Sequence, residues 1–479
     1  MLLLTSKISF ILLILLFLSY IFNGKFTYLL KNKKTIAKKL IWCIIIYART
    51  VCVSSNYITS SERLGAEMNI IIYSISVLIQ LFAIILGLYH ILVGLFSFIG
   101  NTERKTEIKK NHKFALVVAA HNERNVIAEM VDSLTVLDYN KEDYDIFVIA
   151  DNCTDDTAKI AREHGANVHE RVSDDKKGKG YALNWMFERI FEMEKEYDAI
   201  CVFDADNIVH KDFLTHMNVK FNQGFKAVQG YVDTKNPNDS WITASYAISF
   251  WCLNKLYQQA RSNLGLSNQI NGTGFAVATE VIKTYGWSAT CLAEDMEFTM
   301  ELNMNNISVG YASKAVIYDE KPLTLSQSFK QRTRWMQGHA DVASRYLFKL
   351  LKKAVKENNI LAFDCAVYLM QPALLIMLLL ITVVSITQLF VPSLSMWFLT
   401  TLAVPPYMWN AFMLAQLLFT PFILWSEKRL TKKMLLYYIP YLVFTYTWLP
   451  IAVIGVIKKN NKEWFHTEHT RKISVSEME

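Results

Sequence analysis

Proline is scarce in this chain, 9 in 479 residues, and so are the patterns that mark the commonest small sites. The seven cysteines, at positions 43, 52, 153, 201, 252, 291 and 365, form no C-x-x-C pair and have no histidine at zinc spacing. That excludes a disulfide scaffold and a zinc module and fits reduced thiols on a cytosolic face. No glycine-rich loop ends in G-K-[ST], so a Walker P-loop is absent. The formal charge is only +7, with the lysines beside apolar segments instead of in a basic stripe with interleaved aromatics; nucleic-acid binding is not expected. What is plentiful is apolar: 52% hydrophobic and 13% aromatic residues, enough for one soluble domain of ordinary size plus several spanning helices.

The apolar residues come in long runs at both ends. Ile8 to Phe22 precedes Lys25, Lys31, Lys33, Lys34, Lys38 and Lys39. Positive charge after the run, with no small-x-small cleavage site, favours an anchor over a cleaved signal peptide. Leu40 to Ile58, interrupted by Arg49, can cross or lie along the surface. Asn69 to Ile99 is long enough to span, and Arg104, Lys105, Lys109 and Lys110 behind it place the next domain in the cytosol. Parity then asks Leu40 to Ile58 to cross. Past the central region lie Ile360 to Phe390, Leu394 to Trp425 and Met434 to Ile457, then basic Lys458 to Lys472. A cytosolic C-terminus needs an even number of crossings, so either Pro405-Pro406 splits the middle segment or one segment is interfacial.

Between the runs, short β-rich stretches alternate with helical ones, the pattern of a largely parallel sheet covered by helices. Phe114 to Ala120 reads as a strand ending in His121-Asn122-Glu123-Arg124, and Val126 to Leu137 as a helix. Asp145 to Ala150 ends at Asp151, with Thr154-Asp155-Asp156-Thr157 able to cap a following helix. Ala199 to Phe203 ends at Asp204. Ligands of open α/β sheets gather at the carboxyl ends of strands, so Asn122, Glu123, Asp151 and Asp204 become candidates for holding a nucleotide.

Asp204 and Asp206 sit on alternate positions, so both carboxylates can turn toward one divalent ion bridging two phosphates. Lys176-Lys177-Gly178-Lys179-Gly180 is a basic, glycine-rich stretch that can approach phosphate. Asn271-Gly272-Thr273-Gly274 is a turn with little bulk, where a sugar can come close, or a plain tight turn. Glu294-Asp295 opens a helical segment, Met296 to Leu302, and Asp295 suits a general base that takes an acceptor hydroxyl proton. Gln331-Arg332-Thr333-Arg334-Trp335 follows a helical stretch from Leu325; arginine can reach a diphosphate while Trp335 offers an aromatic face to a sugar.

Asp151, Asp204-x-Asp206, Glu294-Asp295 and Q-R-x-R-W at 331–335, with flanking apolar segments, resemble the membrane-integrated family-2 glycosyltransferases, the group of cellulose, chitin, hyaluronan and poly-N-acetylglucosamine synthases. The resemblance runs from about Lys113 to His339. It implies an α/β GT-A-type domain, a mostly parallel sheet flanked by helices, inserted between transmembrane helices. Residues 1–100 would be transmembrane or interfacial helices, 101–345 the cytosolic catalytic domain, 346–457 transmembrane helices and 458–479 a cytosolic basic tail. It further implies uridine binding at Asp151, a diphosphate contact at Lys179, Mg2+ or Mn2+ at Asp204 and Asp206, and Asp295 as base beside Glu294. Gln331, Arg332 and Arg334 would serve the donor, and Gly272, Thr273, Gly274 and Trp335 the acceptor. The partners implied are a UDP-sugar, a growing polysaccharide and the lipid bilayer of the plasma membrane, with room for accessory export or envelope subunits. Asn271-Gly272-Thr273-Gly274 departs from the cysteine-containing acceptor turn of cellulose synthases, and with it goes any assignment of linkage. UDP-glucose, giving a β-1,4 or mixed β-1,3/1,4 glucan, is the first expectation; an N-acetylglucosamine polymer, a single transfer to a lipid acceptor and a non-catalytic membrane scaffold are the alternatives.

Overall fold

The structure, a computed structural model, describes residues 78–79, 82–99, 106–287, 291–390, 417–461, 471–473 and 477. The chain divides into two compact units, residues 1–87 with 377–415 and residues 88–376 with 416–479; everything below concerns the second unless stated.

Eight strands form one sheet in the order β3-β2-β1-β4-β7-β6-β8-β5. They are β1 (Phe114–Ala120), β2 (Tyr144–Asp151), β3 (Asn167–Arg171), β4 (Ala199–Asp204), β5 (Ile208–Val209), β6 (Ala227–Thr234), β7 (Phe275–Ala278) and β8 (Val309–Asp319). The first four strands pair in parallel. Beyond β4 the sheet is mixed: β6 and β8 pair in parallel, but β7 runs antiparallel to both β4 and β6, and β5 antiparallel to β8. β1 has no polar alternation, and six of its seven residues are buried, as in a strand covered on both faces. The helices of this half are α1 (Ile127–Thr135), α2 (Thr157–Glu163), α3 (Lys179–Phe191) and α4 (Phe213–Asn222).

The strand ends match the sequence reading closely, and the expected cap of α2 is supplied by one member of Thr154-Asp155-Asp156-Thr157. Asp155 accepts the Thr157 N–H at 3.0 Å, and Asp156 at the N-cap makes no side-chain cap bond. From β1 the chain adds strands on one side, β2 then β3, and then crosses to the other side with β4. This is the topological switch at which a crevice opens beyond the carboxyl ends.

The second half adds α5 (Trp241–Cys252), a π-helical stretch Leu253–Gln259, α6 (Ala260–Leu264), α7 (Thr279–Tyr285), α8 (Glu294–Met304) and α9 (Leu325–Lys356). A capping box, Thr324 with Gln327, starts α9. Then come α10 (Ile360–Leu369), α11 (Gln371–Phe390), α12 (Lys432–Tyr446) and α13 (Trp448–Ile457). α6 and α10 are joined by an ion pair shut away from water. Arg261 Nε and Nη2 donate to Asp364 at 2.8 and 3.0 Å, both side chains at most 1% exposed, and the guanidinium lies 3.4 Å from the centre of the Tyr257 ring.

Among the described residues, Lys432–Ile457 is long and apolar enough to cross a membrane; Ile360–Leu369 and Gln371–Val383, bent by 44°, are so only when taken together. Phe82–Phe98 and Leu417–Ser426 are apolar but shorter. The several crossings read from the sequence thus reduce to one or two in the described part. The segments Ile8 to Phe22 and Leu40 to Ile58, and residues 394–416 of the middle C-terminal segment, lie outside the described residues.

Candidate active site

Three chain segments deliver carboxylates to one point. Asp204 ends β4, Asp206 follows in the turn, and Asp319 ends β8. One oxygen from each lies within 4.8 Å of the others. Three hard oxygen donors at that spacing suit Mg2+ or Mn2+, so the residues fit the expected ion, with Asp319 as a member that local sequence reading missed. Asn207 braces the group, its amide nitrogen donating to Asp206 at 3.2 Å and to Asp319 at 3.0 Å.

Thr273 is the first correction. Expected to face an acceptor, it is 3% exposed and its hydroxyl is spent below the D-x-D turn, accepting the Asp204 N–H at 3.0 Å and donating to Asn207 Oδ1. Gly272 and Gly274 do form the small turn. Both have left-handed φ, 80° and 62°, and a side chain at Gly274 would run into Ile317 at 2.7 Å. Gly272 stands beside Asp295: a Cβ there would lie 3.3 Å from Asp295 Oδ2.

Lys179 ties the two ends of the site together. As the first residue of α3, behind Gly178 with φ 114°, it ion-pairs with Asp204 and donates to the Gly272 carbonyl at 2.7 Å. Although burial works against its charge, Asp204, and then Glu294 and Asp295, hold its pKa above the ordinary lysine value.

Glu294 and Asp295 open α8. Burial, and then the charge of Glu294, push Asp295 up to about 7, with the Met296 N–H at 2.8 Å opposing. Burial also raises Glu294, against the opposing pull of Lys179 and Arg334. A carboxyl poised near neutrality beside the most open turn of the site is the chemistry of a general base.

The Q-R-x-R-W segment lies in the first turns of α9 and is divided between two faces. Gln331 Oε1 and Arg334 Nε are buried with no partner in the protein, as are Thr333 Oγ1 and Arg332 Nη2, and Arg334 alone of these is close enough to Glu294 to lower its pKa. Arg332 is the second correction. Expected to contact the donor, it is fully buried on the other side, with Nη1 donating to Thr447 Oγ1 at 2.8 Å, Nε to Ser328 Oγ at 3.1 Å, and its guanidinium 4.0 Å from the centre of the Phe444 ring. Positions 332 and 334 are about 200° apart on an α-helix, whereas 331 and 334 share a face. That spacing was the signal available in the sequence. Trp335 packs edge to face on Tyr246 at 6.1 Å and remains partly exposed.

At the carboxyl end of β2, Asp151 is 6% exposed and its Oδ1 receives Arg171 Nη1 and, at 3.1 Å, Asn152 Nδ2. Arg171, also missed, reaches on to the Lys176 carbonyl at 2.6 Å and so fastens the basic loop to β3. Asn122, expected to bind the donor, joins the β1 and β2 ends: its Oδ1 accepts the Thr154 N–H at 2.8 Å from a backbone φ of 55°. Glu123 is 7% exposed, and its N–H donates to Thr157 Oγ1 at 2.8 Å.

Residues 112–338, just under half of the chain, match the family described as "Glycosyltransferase like family 2". This segment is a family-2 glycosyltransferase domain. The chain is 27% identical over 273 residues to the "Beta-monoglucosyldiacylglycerol synthase" of Nostoc sp., covering 54% of this chain and 56% of that protein. It is 26% identical over 268 residues to the "Poly-beta-1,6-N-acetyl-D-glucosamine synthase" of Staphylococcus epidermidis, covering 54% and 62%. The alignments thus span little more than half the length of these curated relatives. Among solved structures, "Mannosyltransferase PcManGT from Pyrobaculum calidifontis in complex with GDP-Man and Mn2+" superposes with a TM-score of 0.52 at 14% identity, over 81% of this chain and 99% of that one. At that identity the likeness shows the fold alone: the catalytic unit is a GT-A fold, a mixed sheet flanked by helices.

Proposed function

We propose that the chain is a processive inverting glycosyltransferase that polymerises a UDP-sugar, UDP-glucose in the first place, and passes the polysaccharide across the membrane that its apolar helices enter. The observation that carries the transfer step is the pairing of Asp295, raised to about 7, with the open turn at Gly272. An acceptor hydroxyl lying over Gly272 gives its proton to Asp295 Oδ2 while its oxygen forms the bond to the anomeric carbon. The bond from that carbon to the diphosphate breaks on the opposite face, which inverts the centre. Lys179 and Arg334 lie on the leaving-group side and hold the diphosphate. A divalent ion held by Asp204, Asp206 and Asp319 would offset the charge that develops on the nucleoside diphosphate. A non-catalytic scaffold is disfavoured because every carboxylate this step needs is in place.

Processivity and export are supported by the continuity of α9 with the apolar helices: the helix carrying Gln331, Arg334 and Trp335 is fastened through Arg332 to Phe444 and Thr447 of the membrane-length stretch. Two alternatives draw on the relatives: an N-acetylglucosamine polymer, after the Staphylococcus synthase, and a single transfer to a lipid acceptor, after the Nostoc glucosyldiacylglycerol synthase. The test is purified protein in nanodiscs given each UDP-sugar in turn with Mg2+ or Mn2+, recording UDP release and digesting the product with linkage-specific glucanases and chitinase. A long glucanase-sensitive product from UDP-glucose, absent with Asp295→Asn, supports the first reading. A chitinase-resistant, glucanase-resistant polymer from UDP-N-acetylglucosamine, or a one-sugar lipid, replaces it with the corresponding alternative.

A further inference from the structure

The acidic residues of the ion-binding group are each met by a lysine. Lys179 pairs with Asp204, Lys321 pairs with Asp319, and Lys235 Nζ donates to the Asp206 carbonyl at 3.3 Å while standing 3.8 Å from Glu320. Lys179 has a task in the donor reading; Lys321 has none, and it is firmly built in. Its side chain is 2% exposed. Asn236 clasps its backbone from both sides, accepting the Lys321 N–H and donating to the Lys321 carbonyl, each at 2.9 Å. Its ammonium lies 3.5 Å from the centre of the Phe250 ring. An ammonium so enclosed needs a counter-charge, and the carboxylate that supplies it is Asp319.

A divalent ion claims the same carboxylate. With Asp319 neutralising Lys321 and Asp204 neutralising Lys179, the group offers an incoming cation less negative charge than three carboxylates would, and two ammonium groups repel it at short range. A nucleoside diphosphate changes that balance by adding negative charge beside the group and by drawing Lys179 off Asp204. We infer that Lys321 is a positioning residue, an internal counter-ion to Asp319 that makes divalent-ion binding at Asp204, Asp206 and Asp319 depend on the donor's diphosphate. The inference rests on the reading of these three residues as the ion site. Ion and nucleotide then bind with positive coupling, each raising the affinity of the other by the same factor, and the protein keeps little ion when no donor is present.

The experiment measures Mn2+ binding by electron paramagnetic resonance of the free ion, using the full chain in detergent, with and without UDP. It compares the unaltered protein with Lys321→Met, which keeps the stem against Phe250 but removes the charge, and Lys321→Arg, which keeps the charge; Lys321→Gln replaces the methionine variant if that one does not fold by thermal unfolding. The unaltered protein and Lys321→Arg should bind Mn2+ at least about tenfold more tightly with UDP than without. Lys321→Met should bind Mn2+ alone on the order of tenfold more tightly than the unaltered protein and lose most of the UDP enhancement. Equal Mn2+ affinities and equal UDP enhancement in all variants overturn the counter-ion role and leave the ion site standing. No Mn2+ binding by any folded variant, with or without UDP, overturns the ion site itself and the inference with it.

Discussion

Asp295 Oδ2 stands so close to Gly272 that a single added carbon at 272 would touch it, at 3.3 Å. The turn is therefore small for two reasons at once: its left-handed φ of 80°, and the nearness of the Asp295 carboxyl, which in the proposed transfer meets the acceptor there.

Gly272→Ala should separate those reasons from stability. An L side chain in the left-handed region costs about 1–2 kcal/mol, a loss that thermal unfolding registers as a few degrees. Displacing the base or the acceptor by a fraction of its contact distance should lower the turnover number by on the order of 100-fold. UDP release by variant and parent, each normalised to folded protein, checks it; full activity would show that no acceptor passes over Gly272.

The rate should follow the base. Because Asp295 must be deprotonated to accept a proton and is raised to about 7, kcat/KM should climb through pH 7 to a plateau above it. A carboxylate at the ordinary value would set that limb near pH 4. Glu294→Gln removes the second cause of the shift and should move the limb to lower pH. Stability runs the other way. A carboxyl whose folded pKa lies above its unfolded one makes its favourable contribution below the unfolded value, near 4, and loses it as pH rises to 7. Asp295→Asn, which is never charged, should therefore gain stability relative to the parent at about pH 8 and show little difference at about pH 4, as thermal melts at the two pH values would record.

Asp319→Asn should weaken Mn2+ binding in the presence of UDP by at least about tenfold and raise the Mn2+ concentration needed for half-maximal UDP release. The KM for donor at saturating Mn2+ should change less. A variant with unaltered Mn2+ dependence would return Asp319 to a bracing role alongside Asn207.

The Arg261–Asp364 pair is a test of the scaffold. Asp364→Ala strands a guanidinium with 1% exposure, and breaking a buried pair from one side costs about 3–5 kcal/mol. Removing both charges, Arg261→Met with Asp364→Leu, should recover most of that, because the pair's own attraction is largely offset by desolvation. Denaturant unfolding of the two variants decides it, and equal losses would mean that packing alone sets the cost.

The first half of the domain was legible because its information is local. β1, β2 and β4 are apolar runs that end where polar residues begin, and Asp151, Asp204 and Asp206 sit at those ends. Asp295 was legible for the same reason, as a carboxylate at a helix start. Asp319 was not, since its place beside Asp204 depends on β8 pairing with β6 and β5, a register set by folding and carried by no nearby motif. The antiparallel strand β7 has only four residues and is too short to announce its direction. Thr273 misled because the turn is open at the glycines on either side of it while its own hydroxyl points down to Asn207. Arg171 lies in a half-exposed edge strand where an arginine looks like surface, and its bonds to Asp151 and to the Lys176 carbonyl give it a task.

Arg332 makes α9 a lever with two loaded ends. Gln331 Oε1 and Arg334 Nε are buried without a partner in the protein, while the residue between them is gripped by Phe444 and Thr447, more than a hundred positions further along the chain. A rotation of residues 432–457 about their own axis would therefore reach α9 within one helical turn of Arg334 and of the Glu294 carboxyl it acts on.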